Sequence, residues 1–155
     1  MKTLKKIVSG GQTGVDRAGL DAAIEAGYPT SGYCPKGRIA EDGIIPDRYP
    51  LIETGSVEYK VRTELNVINS DGTLIINRGE LTGGTKATYM NAVETEKPFL
   101  IVQLDENPDP EIAASWILAN KIETLNIAGP RESKADIYSE AMDYLRTVFR
   151  NREDI

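Results

Sequence analysis

The sequence predicts an α/β fold: one doubly wound, Rossmann-like domain over residues 1–155, with a mainly parallel sheet of about five strands and helices on both faces. Three observations predict it. Short runs of β-branched and bulky apolar residues recur along the chain, segments of helical periodicity separate them, and glycine-rich turns follow the runs. Parallel neighbours need right-handed crossovers, and those place helices on both faces of a sheet.

The first run is LKKIVS, from Leu4, and the cluster SGGQTG follows it. A helix is then expected from about Val15 to Ala26, stopped by Gly27, whose tolerance of positive φ suits a C-cap, with Pro29 preventing resumption. PTSGY, around Ser31, is a weaker second strand. Residues 33–56, YCPKGRIAEDGIIPDRYPLIETGS, form the one long irregular stretch, polar and rich in Gly and Pro. Loops of that length inside a compact domain tend to be functional or mobile. Val57, Val61, Leu65 and Ile68 then recur at helical steps, with Glu58 and Arg62 as an i,i+4 pair on another face.

Three stronger strand candidates follow: GTLIINR from Gly72, PFLIVQL from Pro98 and TLNIAG from Thr124. Their near-continuous apolar character suits strands buried on both faces. Ile137, Ala141, Leu145 and Val148 mark a final amphipathic helix. Trp116, Tyr138 and Tyr144 sit at helical positions and read as packing residues. No repeat, linker or low-complexity tract interrupts the pattern.

The composition excludes several classes of function. At 155 residues, with 40% hydrophobic and 27% charged residues, the chain has the make-up of an ordinary globular protein. No segment approaches the ~20 apolar residues of a membrane span. Lys2, Lys5 and Lys6 are followed by only Ile7 and Val8 before the glycines, too short a stretch for a signal-peptide core, so a cytoplasmic location is expected. A net charge of -6 argues against nucleic acid as a partner. Cys34 is the only cysteine and there is no histidine, which excludes an intramolecular disulfide, the usual zinc spacings and any Ser-His or Cys-His nucleophile pair. No metal site is expected.

In open parallel sheets ligands bind outside the carboxyl ends of the strands. The segments there are GGQTGVDR after the first run, CPKGR after the second, RGELTGGTKAT after the third and AGPRESK after the fifth. Three of the four lead into helix N-termini with Gly, Ser or Thr at the turn, which brings backbone N–H groups and a helix dipole close to an anion. Arg17, Lys36, Arg78 and Arg131 fall in these segments, with Arg38 and Lys134 close by, a positive rim on a negative chain. The alternative is that individual glycines serve tight turns and the cations are solvated charges paired to Glu80, Glu132 or Asp16.

Neither of the best-known phosphate loops is present. No Lys follows Gly14 as a P-loop needs, and Ser9 replaces the first glycine of G-x-G-x-x-G. Where a dinucleotide fold would carry an acidic residue for ribose, the chain reads Cys34-Pro35-Lys36-Gly37-Arg38, which suits phosphate or an oxyanion better. Glu41 and Asp42 could hold a hydroxyl, an amine or Mg²⁺, although an exposed turn at Gly43 is the simpler reading. Cys34 reads as a small buried hydrophobe, with soft-metal ligation the alternative.

Taken together, SGGQTGVDRAGLDAAIEAG, CPKGRIAEDG, NRGELTGGT and LNIAGPRES resemble the molybdenum carrier family, a circularly permuted branch of the SLOG nucleotide-binding superfamily. The resemblance runs from residue 6 to about 149. It implies a Rossmann-like fold and, as cofactor, molybdenum cofactor, a pterin carrying a dithiolene, a phosphate and an oxo-metal. It also implies ligand-binding loops at Gly10, Gly11, Gln12, Thr13 and Gly14, at Gly83, Gly84 and Thr85, and at Gly129, Pro130, Arg131, Glu132 and Ser133. The superfamily's LOG-type enzymes cut nucleoside monophosphates and carry P-G-G-x-G-T-x-x-E. Here Thr82 replaces the Pro, Lys86 interrupts the second Gly-Thr, and no Glu appears before Glu94, so the hydrolase loses its most obvious polar participant.

The leading expectation is therefore a binding protein for an anionic, phosphate-bearing ligand, a pterin or nucleotide, acting in carriage or storage. A homodimer or higher homo-oligomer is the expected assembly. The alternatives are a nucleotide-processing enzyme, using Glu41, Asp42 or Glu132 as acid or base, and a nucleotide-sensing domain.

Overall fold

The apolar runs become strands and the periodic segments become helices. The computed structural model describes residues 2–150 and 154–155. In chain order its elements are β1 (Lys6–Val8), α1 (Val15–Ala26), β2 (Thr30–Ser31), β3 (Tyr33–Cys34), β4 (Ile39–Ala40), β5 (Gly43–Ile44), β6 (Ile52–Glu53), α2 (Tyr59–Ile68), β7 (Gly72–Asn77), α3 (Gly83–Glu94), β8 (Phe99–Gln103), α4 (Pro110–Ala119), β9 (Thr124–Ala128) and α5 (Tyr138–Phe149).

Five strands form one parallel sheet in the order β2-β1-β9-β7-β8. From β1 the chain moves outward through α1 to one edge, and from β7 it moves outward through α3 to the other. The return through α4 fills the centre with β9. Because the crossovers diverge from β1 and β7, a crevice opens at the carboxyl ends of the three central strands, the place where such sheets bind ligands.

The period-2 alternation of strand side chains makes the two faces of this sheet chemically different. Ile7, Leu74, Ile76, Leu125 and Ile127 point to one face and join α1, α4 and α5 in the main hydrophobic core. Their neighbours Thr73, Asn77 and Asn126 are also buried but belong to neither hydrophobic cluster, and Asn126 Nδ2 donates to Thr73 Oγ1 at 3.3 Å. One face carries the core and the other carries polar groups.

This asymmetry sets the orientation of α2. Its buried residues are Arg62, Asn66 and Val67, while Val57 is 60% exposed and Ile68 40% exposed. Asn66 accepts the Tyr33 N–H at 2.8 Å and donates to the Tyr33 carbonyl at 3.0 Å, pairing with β3 as a strand would. Those two bonds turn the polar stripe inward. Glu58 forms its ion pair with Lys60 at 3.4 Å instead of with Arg62.

Residues 33–56 are folded rather than irregular. β3 and β6 pair in parallel, β4 and β5 form an antiparallel hairpin, and Cys34, Ile45, Tyr49 and Leu51 pack on Leu20 of α1 as a second hydrophobic cluster. Arg38 holds this flap from within: its guanidinium donates to the carbonyls of Ile45, Pro46, Tyr49 and Leu51 at 2.8–3.3 Å. Cys34 is fully buried there, and loss of hydration pushes its thiol pKa up.

Candidate functional site

The carboxyl ends of β1, β7 and β9 open into a cleft of about 370 Å³ on the polar side of the sheet. Its floor includes Asp16, Asn77 and Asn126; one wall is α2, with Tyr59 and Arg62; the other is the first turn of α3, and the GPRES turn closes the end. Each element brings these groups there for a local reason. Asn77 is the last residue of β7 and Asn126 lies mid-strand in β9, both on the face away from the core.

The first turn of α3 is Gly83, Gly84 and Thr85, with Thr82 as N-cap. The N–H groups of a first helical turn have no intrahelical partner. The backbone bond from Lys86 N–H to the Thr82 carbonyl, 3.2 Å, is the first of this helix, and the Thr82 side chain caps none of the three preceding amides. All three residues line the cleft. The Lys134 ammonium stands beside them, 2.7 Å from where a Cβ on Gly83 would lie.

Five cations line this cleft, Lys60, Arg62, Arg78, Arg131 and Lys134, against two acids, Asp16 and Glu80. On a chain of net charge -6 this concentrates positive potential in one recess. Arg62 is buried; its guanidinium donates to the Gly10 carbonyl at 2.7 Å and lies 5.0 Å from the Tyr59 ring centre. Arg131 approaches the same ring at 5.8 Å, so Tyr59 holds both guanidinium groups through its π face. Arg78 pairs with Glu140 at 2.9 Å while still lining the cleft.

Asp16 is the unusual charge. Burial raises its carboxyl pKa to about 6, opposed by Arg62, by the Gln12 N–H, which donates to Oδ2 at 3.2 Å, and by Arg17.

The structure divides the residues singled out in the sequence. Gly10, Gln12, Arg78, Gly83, Gly84, Thr85, Gly129, Pro130 and Arg131 line the cleft; Gly11, Thr13, Gly14, Arg17, Lys36, Arg38, Glu132 and Ser133 do not. Much of the first glycine loop is occupied by the protein itself. The Gly11 N–H donates to Ser9 Oγ and the Thr13 N–H to Gln12 Oε1. Gly14, at φ 80°, lies so close to the GPRES turn that a Cβ would strike the Pro130 carbonyl. Arg17 pairs with Asp42 and donates to the Gly11 carbonyl, so its partner is an acid of the β4–β5 turn. Glu132 Oε1 accepts the N–H groups of Ile137 and Tyr138 and so caps α5. Lys36 is exposed on the flap.

Glu41 also departs from the simple exposed turn. It accepts the Thr13 hydroxyl, the Ser133 hydroxyl at 2.5 Å and the Ser133 N–H at 3.1 Å. Desolvation opposes these bonds, yet they hold its carboxyl below the ordinary glutamate range. Sequence reasoning missed Tyr59, Arg62, Asp16, Asn77 and Asn126 as cleft residues. The asparagines did leave a signal: Asn77 ends the apolar run of β7 and Asn126 interrupts that of β9, both on the face away from the core.

A five-stranded parallel sheet flanked by helices, with a crevice at its switch point, defines the class of Rossmann-like α/β proteins. The chain belongs to the circularly permutated YpsA SLOG family, whose family model matches residues 7–149. It is similar to a solved structure from Syntrophus aciditrophicus SB named "Putative molybdenum carrier protein", at 47% identity over 96% of each chain and a TM-score of 0.90. No curated protein matches. The resemblance and the α/β fold read from the four motifs hold.

Proposed function

We propose that the chain binds a small anionic, phosphate-bearing ligand in this cleft and carries or stores it, with molybdenum cofactor as the candidate the relative's name suggests. The observation that carries the reading is the uncapped first turn of α3 facing the same recess as Arg131 and Lys134. Backbone N–H donors at a helix start and mobile cations are a phosphate's preferred partners.

The residues fit the phosphate end of such a cofactor. They offer nothing to its metal: among the described residues no group of three His, Cys, Asp or Glu is placed to hold one. A bound cofactor would bring its own dithiolene-held oxo-metal, and this chain's part is to hold the phosphate and the organic body. Native mass spectrometry with metal analysis, on protein isolated from its own cells, tests the proposal. A retained organic phosphate accompanied by molybdenum supports it; protein that retains no ligand, and binds no added phosphate ester, contradicts it.

A second reading, turnover of a nucleotide, is favoured by one observation, the raised pKa of Asp16 in the cleft. Glu41, Asp42 and Glu132 are committed to hydrogen bonds and ion pairs outside it. Incubation with nucleoside monophosphates decides between the two readings: release of free base supports the enzyme, and its absence leaves binding.

A further inference from the structure

We infer that the floor of the cleft is an acceptor-rich subsite, formed by Asp16, Asn77 and Asn126, that selects phosphate esters with several hydroxyl or amino donors over bare oxyanions and simple alkyl phosphates. The inference rests on the anion reading above and specifies the other end of the ligand.

Asp16, Asn77 and Asn126 are 7%, 2% and 2% exposed, and one oxygen of each has no hydrogen-bond partner among the described residues. Asn77 Nδ2 donates to the Gly79 carbonyl at 2.9 Å, which fixes its Oδ1 on the opposite side. Asn126 Nδ2 donates to Thr73 Oγ1. Asp16 Oδ2 accepts the Gln12 N–H, and among the described residues Oδ1 accepts nothing. Among the described residues no fully buried side-chain polar atom lacks a hydrogen-bond partner. The three free oxygens are therefore open to the cleft that these residues line.

Such a floor is the wrong chemistry for an oxyanion. Three free acceptor oxygens, one on a carboxylate, disfavour negative charge against the floor even with Arg62 in the wall beside it, whereas the α3 amides, Arg131 and Lys134 supply donors at the other end. A ligand satisfies both ends only if it is anionic at one and carries O–H or N–H groups at the other. The volume agrees: about 370 Å³ lies in the range of sites for organic ligands and far exceeds one tetrahedral oxyanion.

The experiment compares ribose 5-phosphate with n-butyl phosphate, which has a similar charge but no hydroxyl, by calorimetric titration of the full chain and of Asp16→Asn. The wild type should bind the sugar phosphate at least tenfold more tightly. Asp16→Asn keeps an acceptor for the Gln12 N–H and removes the charge. It should weaken the sugar phosphate about tenfold while leaving butyl phosphate unchanged or tighter, an inversion that general loosening would not produce. Asn126→Ala, as a second variant, should shrink the preference in the same direction. Equal wild-type affinity for the two esters, or equal losses for both in the variants, would overturn the acceptor floor and leave the anion reading standing. Binding of neither ester by the wild type would overturn both.

Discussion

The Glu41 carboxylate and the Ser133 hydroxyl meet at 2.5 Å across 92 residues of sequence, and the same carboxylate accepts the Thr13 hydroxyl. One side chain on the β4–β5 turn thus ties the first glycine loop to the GPRES turn. Glu41→Ala removes three hydrogen bonds at once and should cost about 1–2 kcal/mol. In a chain of this size each kcal/mol lowers Tm by roughly 2–4 °C, which thermal unfolding measures. Because the folded pKa of Glu41 lies below its ordinary value, its stabilisation is present at neutral pH and is lost as pH falls through the acid range. The gap between wild type and Glu41→Gln should close in acid.

Asp16 behaves in the opposite sense. Its pKa rises from 3.8 to about 6 on folding, so the folded chain holds a proton more tightly and the charged form penalises folding above pH 6. Asp16→Asn should be more stable than wild type at pH 7–8, by about 3 kcal/mol at most on the linkage relation. The advantage should fade as pH falls toward 4. Denaturant melts at several pH values check this, and an advantage that instead grows in acid contradicts the assignment.

Arg131 lines the cleft and, like Arg62 and Lys134, is in no salt bridge among the described residues. Its replacement by Ala should cost a phosphate ester about 1.5–3 kcal/mol, roughly tenfold to a hundredfold in Kd. The loss should shrink at high salt. Unchanged affinity for ribose 5-phosphate in that variant would remove Arg131 from the site.

Arg38 stabilises the flap instead. Arg38→Ala leaves four carbonyls without their shared donor and should open the small cluster around Cys34. The thiol is a built-in reporter: in the wild type it is fully buried and should react slowly with a thiol reagent. The variant should react at least tenfold faster, with phosphate-ester affinity reduced far less than in Arg131→Ala.

The sheet was legible because the apolar runs beginning at Leu4, Gly72, Pro98 and Thr124 need only local pattern to be read. The glycine turns were legible as turns. Their roles were not, because Gly83 and Gly84 free their amides only through the absence of a Thr82 cap, whereas the amides of Gly11 and Thr13 are spent on Ser9 and Gln12. Arg62 was hidden for a tertiary reason. The helical period of Val57, Val61, Leu65 and Ile68 marks an apolar stripe correctly, but the polar face of the sheet and the bonds from Asn66 to Tyr33 turn the opposite stripe inward. The flap from 33 to 56 carries too few residues per strand for any period to show.

Amide chemical shifts during titration with inorganic phosphate test the central claim most directly, because they report which backbone N–H groups meet the anion. The account predicts saturable shifts at Gly83, Gly84 and Thr85, weakened in Arg131→Ala, with Gly11 and Thr13 largely still. Shifts centred on Gly11 to Gly14, or no saturable shift anywhere in the cleft at millimolar phosphate, would contradict it.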